Sequence, residues 1–185
     1  MNHASRYTTT AISLHWLMAV LIFAGFGMGQ YMTDLAMSPD KLRMYSWHKW
    51  IGVTVFGLVL LRGVWRLTHT PPPLSTAMPA WQRQLAGLTH GLLYGLMFAI
   101  PLSGWLYSSA SGFQTVYFGR WPLPDLLGRD ADLAARLKSV HVILNYGLAA
   151  LVVAHLGAAL KHHFLDRDGL LWRMIPSRRL PEHRA

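Results

Sequence analysis

Five histidines, His15, His48, His90, His141 and His155, fall within or at the ends of long apolar stretches of the sequence. An ionisable side chain inside a membrane is costly, so each is a functional candidate by default. Taken singly, a hydrogen bond to a neighbouring helix or a place at the interface explains any of them as well. Their spacing says more. His141 and His155 stand 14 residues apart, which on a helix is about 40° short of four full turns, so both point to nearly the same face. The rise per residue separates them by roughly 21 Å. That leaves room for two flat cofactors, one near each membrane surface.

Neutral imidazole is a good ligand for iron, copper, nickel and zinc. Two histidines without a carboxylate leave zinc under-coordinated. Haem brings four nitrogens of its own, needs two axial ligands, and is large and apolar enough to suit the inside of a helix bundle. Bis-histidine haem is therefore the most economical chemistry for this set. The nine Met are read as packing residues, since four His suffice. With no Cys, disulfides, thiolate-held iron–sulfur clusters, Cys-ligated zinc and covalently attached c-type haem are excluded.

The elements that must position these ligands are legible as apolar runs. The chain is 52% hydrophobic and only 14% charged, where a soluble domain carries about a quarter charged residues. Spanning a bilayer takes roughly 20 mostly apolar residues, and four segments qualify, at about 12–32, 46–67, 85–108 and 140–160. The first follows Arg6 without a small-x-small cleavage site and is read as a retained helix. The expectation is an all-α, integral membrane four-helix bundle in one membrane domain, 1–185, with a tail from 161 to 185. Pro71-Pro72-Pro73 breaks the second connection. The third connection is the longest, and its final part, 130–138, reads as a helical lead-in to the fourth span. Trp16, Trp47, Trp65, Trp81 and Trp105 lie near span ends, as in an aromatic belt.

Ten Lys and Arg fall on the side of the two termini and seven on the other, which places both termini in the cytoplasm. The net charge of +9 is spread between apolar stretches rather than along one soluble face, so lipid and not nucleic acid is the expected surroundings. In this orientation His15 and His155 share the inner level, and His48 and His141 share the outer one. Each pair joins two helices at one depth, where bundle cofactor sites are built.

Arg62 follows His48 by 14 residues, so it belongs on the inward face at the depth of the inner pair. Two readings stand: a partner for a haem propionate, or an arginine snorkelling to the interface. Gly52, one turn after His48, either makes room for a flat ring or marks close helix packing, and packing is the expected role of Gly25 and Gly29. Pro101 is expected to kink the third span. His90 can bond a propionate, relay a proton, contact a quinone or simply sit at the interface. His162 and His163 are ambiguous; His3, His69 and His183 read as solvated.

The segments Ser13-Leu14-His15-Trp16, Trp47-His48-Lys49-Trp50-Ile51-Gly52, Leu61-Arg62-Gly63-Val64-Trp65-Arg66 and Lys138-Ser139-Val140-His141 resemble the bacterial cytochrome b561 family. So does the stretch from Ala154-His155 through Lys161-His162-His163-Phe164 to Leu171-Trp172-Arg173-Met174-Ile175-Pro176. The resemblance runs over nearly the whole chain. It implies a four-helix cytochrome of the bacterial inner membrane with two non-covalent b haems, and by matched position the axial ligands His15, His48, His141 and His155. For some members it implies electron passage from superoxide at the periplasmic face to ubiquinone.

The function expected is electron transfer with the quinone pool, an oxidoreductase of the superoxide:quinone type if the chain acts alone. Lys49, Arg120 and Lys138 on the outer side can attract an anion such as superoxide, with Lys49 and Arg120 as its guides. The same family resembles the cytochrome b subunits of some hydrogenases and dehydrogenases. The alternative is therefore a haem-bearing membrane anchor that relays electrons for a redox protein partner in a larger complex. A metal or proton transporter is disfavoured, because no Asp or Glu lies inside the spans.

Overall fold

The protein is described by a computed structural model covering residues 6–73 and 78–176. Four helices dominate it: α1 (Thr9–Asp34), α2 (Pro39–Thr68), α3 (Ala80–Ala110) and α4 (Ala131–Lys161). Three begin on side-chain caps. Thr8 Oγ1 accepts from the Ala11 amide at 3.2 Å, Ser38 Oγ from the Lys41 amide at 3.2 Å, and Asp130 Oδ1 from the Leu133 amide at 2.9 Å. Each cap satisfies one of the amides that a helix start leaves without a partner. Pro39 fills the first turn of α2, where a missing N–H costs nothing, and Asp40 sits at the positive end of that helix.

All four helices are long and apolar enough to cross a membrane. Their outer faces expose Leu17, Val20, Phe23, Leu61, Val64, Ile143 and Val153. Such a surface suits hydrocarbon, and the helices satisfy their own backbone groups there. The chain is an all-α membrane four-helix bundle.

Each helix outruns its apolar stretch. α2 starts at Pro39 rather than near 46, and α4 at Ala131 rather than near 140. Hydropathy marks only the part of a helix inside the hydrocarbon, whereas caps mark where it begins. The lead-in at 130–138 is thus continuous with α4. The third connection folds into a small hairpin that the sequence reading did not anticipate, β1 (Val116–Tyr117) paired antiparallel with β2 (Trp121–Pro122). The three-residue loop 118–120 turns it, with positive φ at Phe118 (51°) and Gly119 (67°). After α4 the chain makes one wide π-type turn, His162–Asp166, and a 3₁₀ turn, Leu171–Arg173.

α3 packs most extensively on α4, and α2 lies against both α1 and α3. α1 and α4 are bridged by side chains: Phe26 meets Tyr146 edge-on at 6.1 Å, and Tyr146 Oη donates to Gln30 Oε1 at 3.3 Å. Met18, Val59 and Met97 form the buried apolar cluster, with Ile22, Leu58, Leu93 and Tyr94 against it. Along α4, Leu148 is buried midway between His141 and His155. Few other residues of this helix are fully enclosed.

Candidate functional site

The fold gathers the histidines at two levels. At the level expected to be the outer one, the rings of His48 on α2 and His141 on α4 face each other with centroids 6.2 Å apart. At the other, expected to be the inner one, His15 on α1 and His155 on α4 are 6.4 Å apart. Two imidazoles bound to opposite sides of one metal through bonds of about 2 Å, with a ring radius of roughly 1.1 Å each, have centroids roughly 6 Å apart. Both pairs have the spacing to grip one iron from two sides. His90 on α3 joins the inner level, with its ring 5.5 Å from that of His155, closer than that spacing.

The rings of the outer pair are positioned by their neighbours. His141 Nδ1 donates to the Ile100 carbonyl at 3.1 Å and lies 3.0 Å from Ser103 Oγ, while the Ser103 hydroxyl donates to the same carbonyl at 2.8 Å. A carbonyl only accepts, so the proton sits on Nδ1 and the lone pair on Nε2 is left for a metal. His48 Nδ1 is buried against α1, where the Gly25 carbonyl is the backbone acceptor beside it.

Glycines make the space. A Cβ at Gly29 of α1 would come within 3.3 Å of His48 Cε1, and one at Gly104 of α3 within 3.0 Å of His141 Cε1. Gly29 and Gly25 both pack α1 on α2, Gly29 against the His48 ring and Gly25 against Ile51 Cγ2 at 3.2 Å. A Cβ at Gly52 would meet nothing within 4 Å. Gly52 lines a cleft together with Phe26, His48, Ile51, His141 and Asn145. Apolar walls and two facing imidazoles fit haem.

Arg62 does not snorkel. Its Nη1 lies 3.2 Å from His15 Nδ1, and its Nε donates to Tyr94 Oη at 2.8 Å. A guanidinium only donates, so in this arrangement His15 Nδ1 accepts and the ring proton sits on Nε2. Were a metal held at Nε2, the ring proton would belong on Nδ1, and Arg62 would turn from His15 to an anion such as a carboxylate. Arg62 and Arg66 both lie over the Tyr94 ring, at 5.6 and 6.0 Å.

Tyr94, Ser103 and Gly104 escaped the sequence reading, yet a signal was present. His15 to Gly29, His48 to Arg62, His90 to Gly104 and His141 to His155 are all intervals of 14 residues. Each helix thus offers one residue to each level: His15, Arg62, His90 and His155 inside, Gly29, His48, Gly104 and His141 outside. Tyr94 follows His90 by one turn.

Beyond the outer level, α2 is strapped to the hairpin. Lys49 Nζ donates to the Phe113 carbonyl at 2.8 Å, Trp50 Nε1 to the Val116 carbonyl at 2.7 Å, and the hydroxyls of Thr54 and Tyr117 are 2.9 Å apart. Arg120 lies over the Trp121 ring at 5.8 Å. Lys49 and Arg120 are each engaged with the third connection, and no contact joins them among the described residues. At the inner end the segment after α4 folds back: Trp16 Nε1 donates to the Met174 carbonyl at 2.7 Å, and Arg173 Nη1 to the Pro73 carbonyl at 2.8 Å. His162 pairs with Asp168 at 2.6 Å and Asp166 at 3.0 Å, with Lys161 on Asp166 at 2.6 Å; His163 meets the Trp172 ring edge-on. His69 is exposed and stacked on Trp65. His3 and His183 lie outside the described residues.

Paired, half-buried imidazoles in an apolar bundle, with no carboxylate against them among the described residues, point to a membrane cytochrome. The family described as prokaryotic cytochrome b561 matches residues 6–177, and the chain belongs to it. It is a multi-pass protein of the bacterial inner membrane that carries b-type haem in electron transfer. The chain is 35% identical to cytochrome b561 homolog 2 of Escherichia coli (strain K12), over 94% of this chain and 93% of that one. It is 29% identical to cytochrome b561 homolog 1 of the same organism, over 95% and 99%, and 27% identical to the probable superoxide oxidase CybB of Yersinia pestis, over 94% and 98%.

Proposed function

We propose that the chain holds two b haems in one membrane domain, the inner between His15 and His155 and the outer between His48 and His141. It passes electrons from a donor at the periplasmic face to ubiquinone, with both termini in the cytoplasm. The observation that carries this reading is the pair of imidazole separations, 6.4 and 6.2 Å, at the two levels of one bundle. A bound haem supplies one-electron ferric–ferrous chemistry. The residues of the chain fix the ligand rings, keep water from the middle of the bundle with Met18, Val59 and Met97, and neutralise a propionate with Arg62. Superoxide is the donor favoured by the similarity to a probable superoxide oxidase and by the positive charge of Lys49 and Arg120 on the outer face. Two superoxide anions give up two electrons and leave as dioxygen. One quinone takes the two electrons with two protons and leaves as quinol.

Stopped-flow mixing of the purified haem-loaded protein with superoxide and ubiquinone tests it. Quinone reduction above the uncatalysed rate, with two haems per chain by pyridine haemochrome, is the expected result. One haem per chain overturns the two-level reading. Two haems without quinone reduction, and with a soluble redox subunit co-purifying, turns the assignment to the anchor of a larger complex.

A further inference from the structure

The two levels differ in charge. The cleft at the outer level has no charged side chain in its lining, Lys49 beyond it is tied to the Phe113 carbonyl, and the other two members of its ring are glycines, Gly29 and Gly104. There, His141 gives its Nδ1 proton to the Ile100 carbonyl and the Ser103 hydroxyl. A ligand whose far nitrogen donates to a carbonyl becomes more basic, which favours ferric iron. At the inner level Arg62 touches His15 and Tyr94, and Arg66 lies over the same Tyr94 ring. A cation in a poorly screened interior favours the form with the extra electron. If Arg62 turns to a propionate it cancels a negative charge, which acts in the same direction. The acids beyond this level, Asp166 and Asp168, are taken up by Lys161 and His162.

From this asymmetry we infer that the inner site holds its haem at a higher reduction potential than the outer, which makes electron transfer inward downhill. The inference rests on the two-haem reading above. It supplies what that reading needs, because an electron moving from the outer to the inner level travels toward the negative side of an energised membrane, uphill against the membrane potential. Arg62 and Ser103 act as positioning and tuning residues, through the propionate and ligand rings that they touch.

Potentiometric titration of the haem-loaded protein, followed at the α band, tests it. Two midpoints are expected. Arg62→Gln lowers the upper midpoint and leaves the lower one in place, and Arg62→Lys, which keeps the charge, restores most of the upper value. Ser103→Ala removes one of two oxygens accepting the His141 proton and raises the lower midpoint alone, so both neutral variants narrow the gap. Two haems whose lower midpoint answers to Arg62→Gln, or whose midpoints ignore both substitutions, overturn the inference and leave the two-haem reading standing. A single haem per chain overturns that reading instead, and the inference with it.

Discussion

Gly104 on α3 stands directly behind His141 on α4, so close that a Cβ there would lie 3.0 Å from the imidazole Cε1. The contact ties a residue type on one helix to the ring position on another. Ala in place of Gly favours a helix by up to about 1 kcal/mol, so Gly104→Ala strengthens α3 while displacing the ring. The expected result is loss of the outer haem with the helix content intact, measured by haem-to-protein ratio and circular dichroism. Gly87→Ala in the same helix, where a Cβ meets nothing within 4 Å, should leave haem content unchanged. Equal haem loss in both variants would argue that the ring contact is irrelevant.

The ligand pairs separate by level. His15→Ala or His155→Ala should remove the inner haem preferentially, and His48→Ala or His141→Ala the outer one. Each single variant then keeps about half the haem, and its remaining α band matches that of its partner variant. A His15 variant whose spectrum matches the His48 variant rejects the pairing.

Tyr94→Phe deletes only the hydroxyl that accepts from Arg62 Nε at 2.8 Å. A hydrogen bond to a charged group contributes about 1.5–3 kcal/mol. Its loss should weaken haem retention at the inner level without removing either axial ligand. Haem transfer to apomyoglobin measures it, and a faster release of one of the two haems is expected. Release kinetics identical to the parent protein count against a role for Tyr94 in holding Arg62.

The hairpin depends on α2. Trp50→Phe keeps an aromatic ring, smaller than the indole, and loses the N–H that donates to the Val116 carbonyl, a bond contributing about 1 kcal/mol. Amide hydrogen exchange at Val116–Tyr117 and Trp121 should quicken several-fold, while α3 and α4 near Ser103 and His141 stay protected. Unchanged exchange in the hairpin means that the Lys49 and Thr54 ties suffice by themselves.

The sequence alone determined the four crossings, the absence of thiolate chemistry and the depth of each histidine. Depth and face follow from a fixed rise and rotation per residue, so the interval between His141 and His155 is already a statement about space. It did not determine which helix stands opposite which, because rotation and neighbour choice come from packing of side chains on separate elements. Only the tertiary structure decided that Arg62 reaches His15 and Tyr94 rather than the interface, that His90 sits with the inner pair, and that Gly29 and Gly104 back the outer rings. The helix ends were also out of reach of hydropathy, since Ser38 and Asp130 set them by capping in polar sequence beyond the hydrocarbon. The hairpin escaped for a related reason: two paired residues on each side are too few to show an alternating pattern, and contacts from Lys49 and Trp50 on a separate helix help to hold the loop.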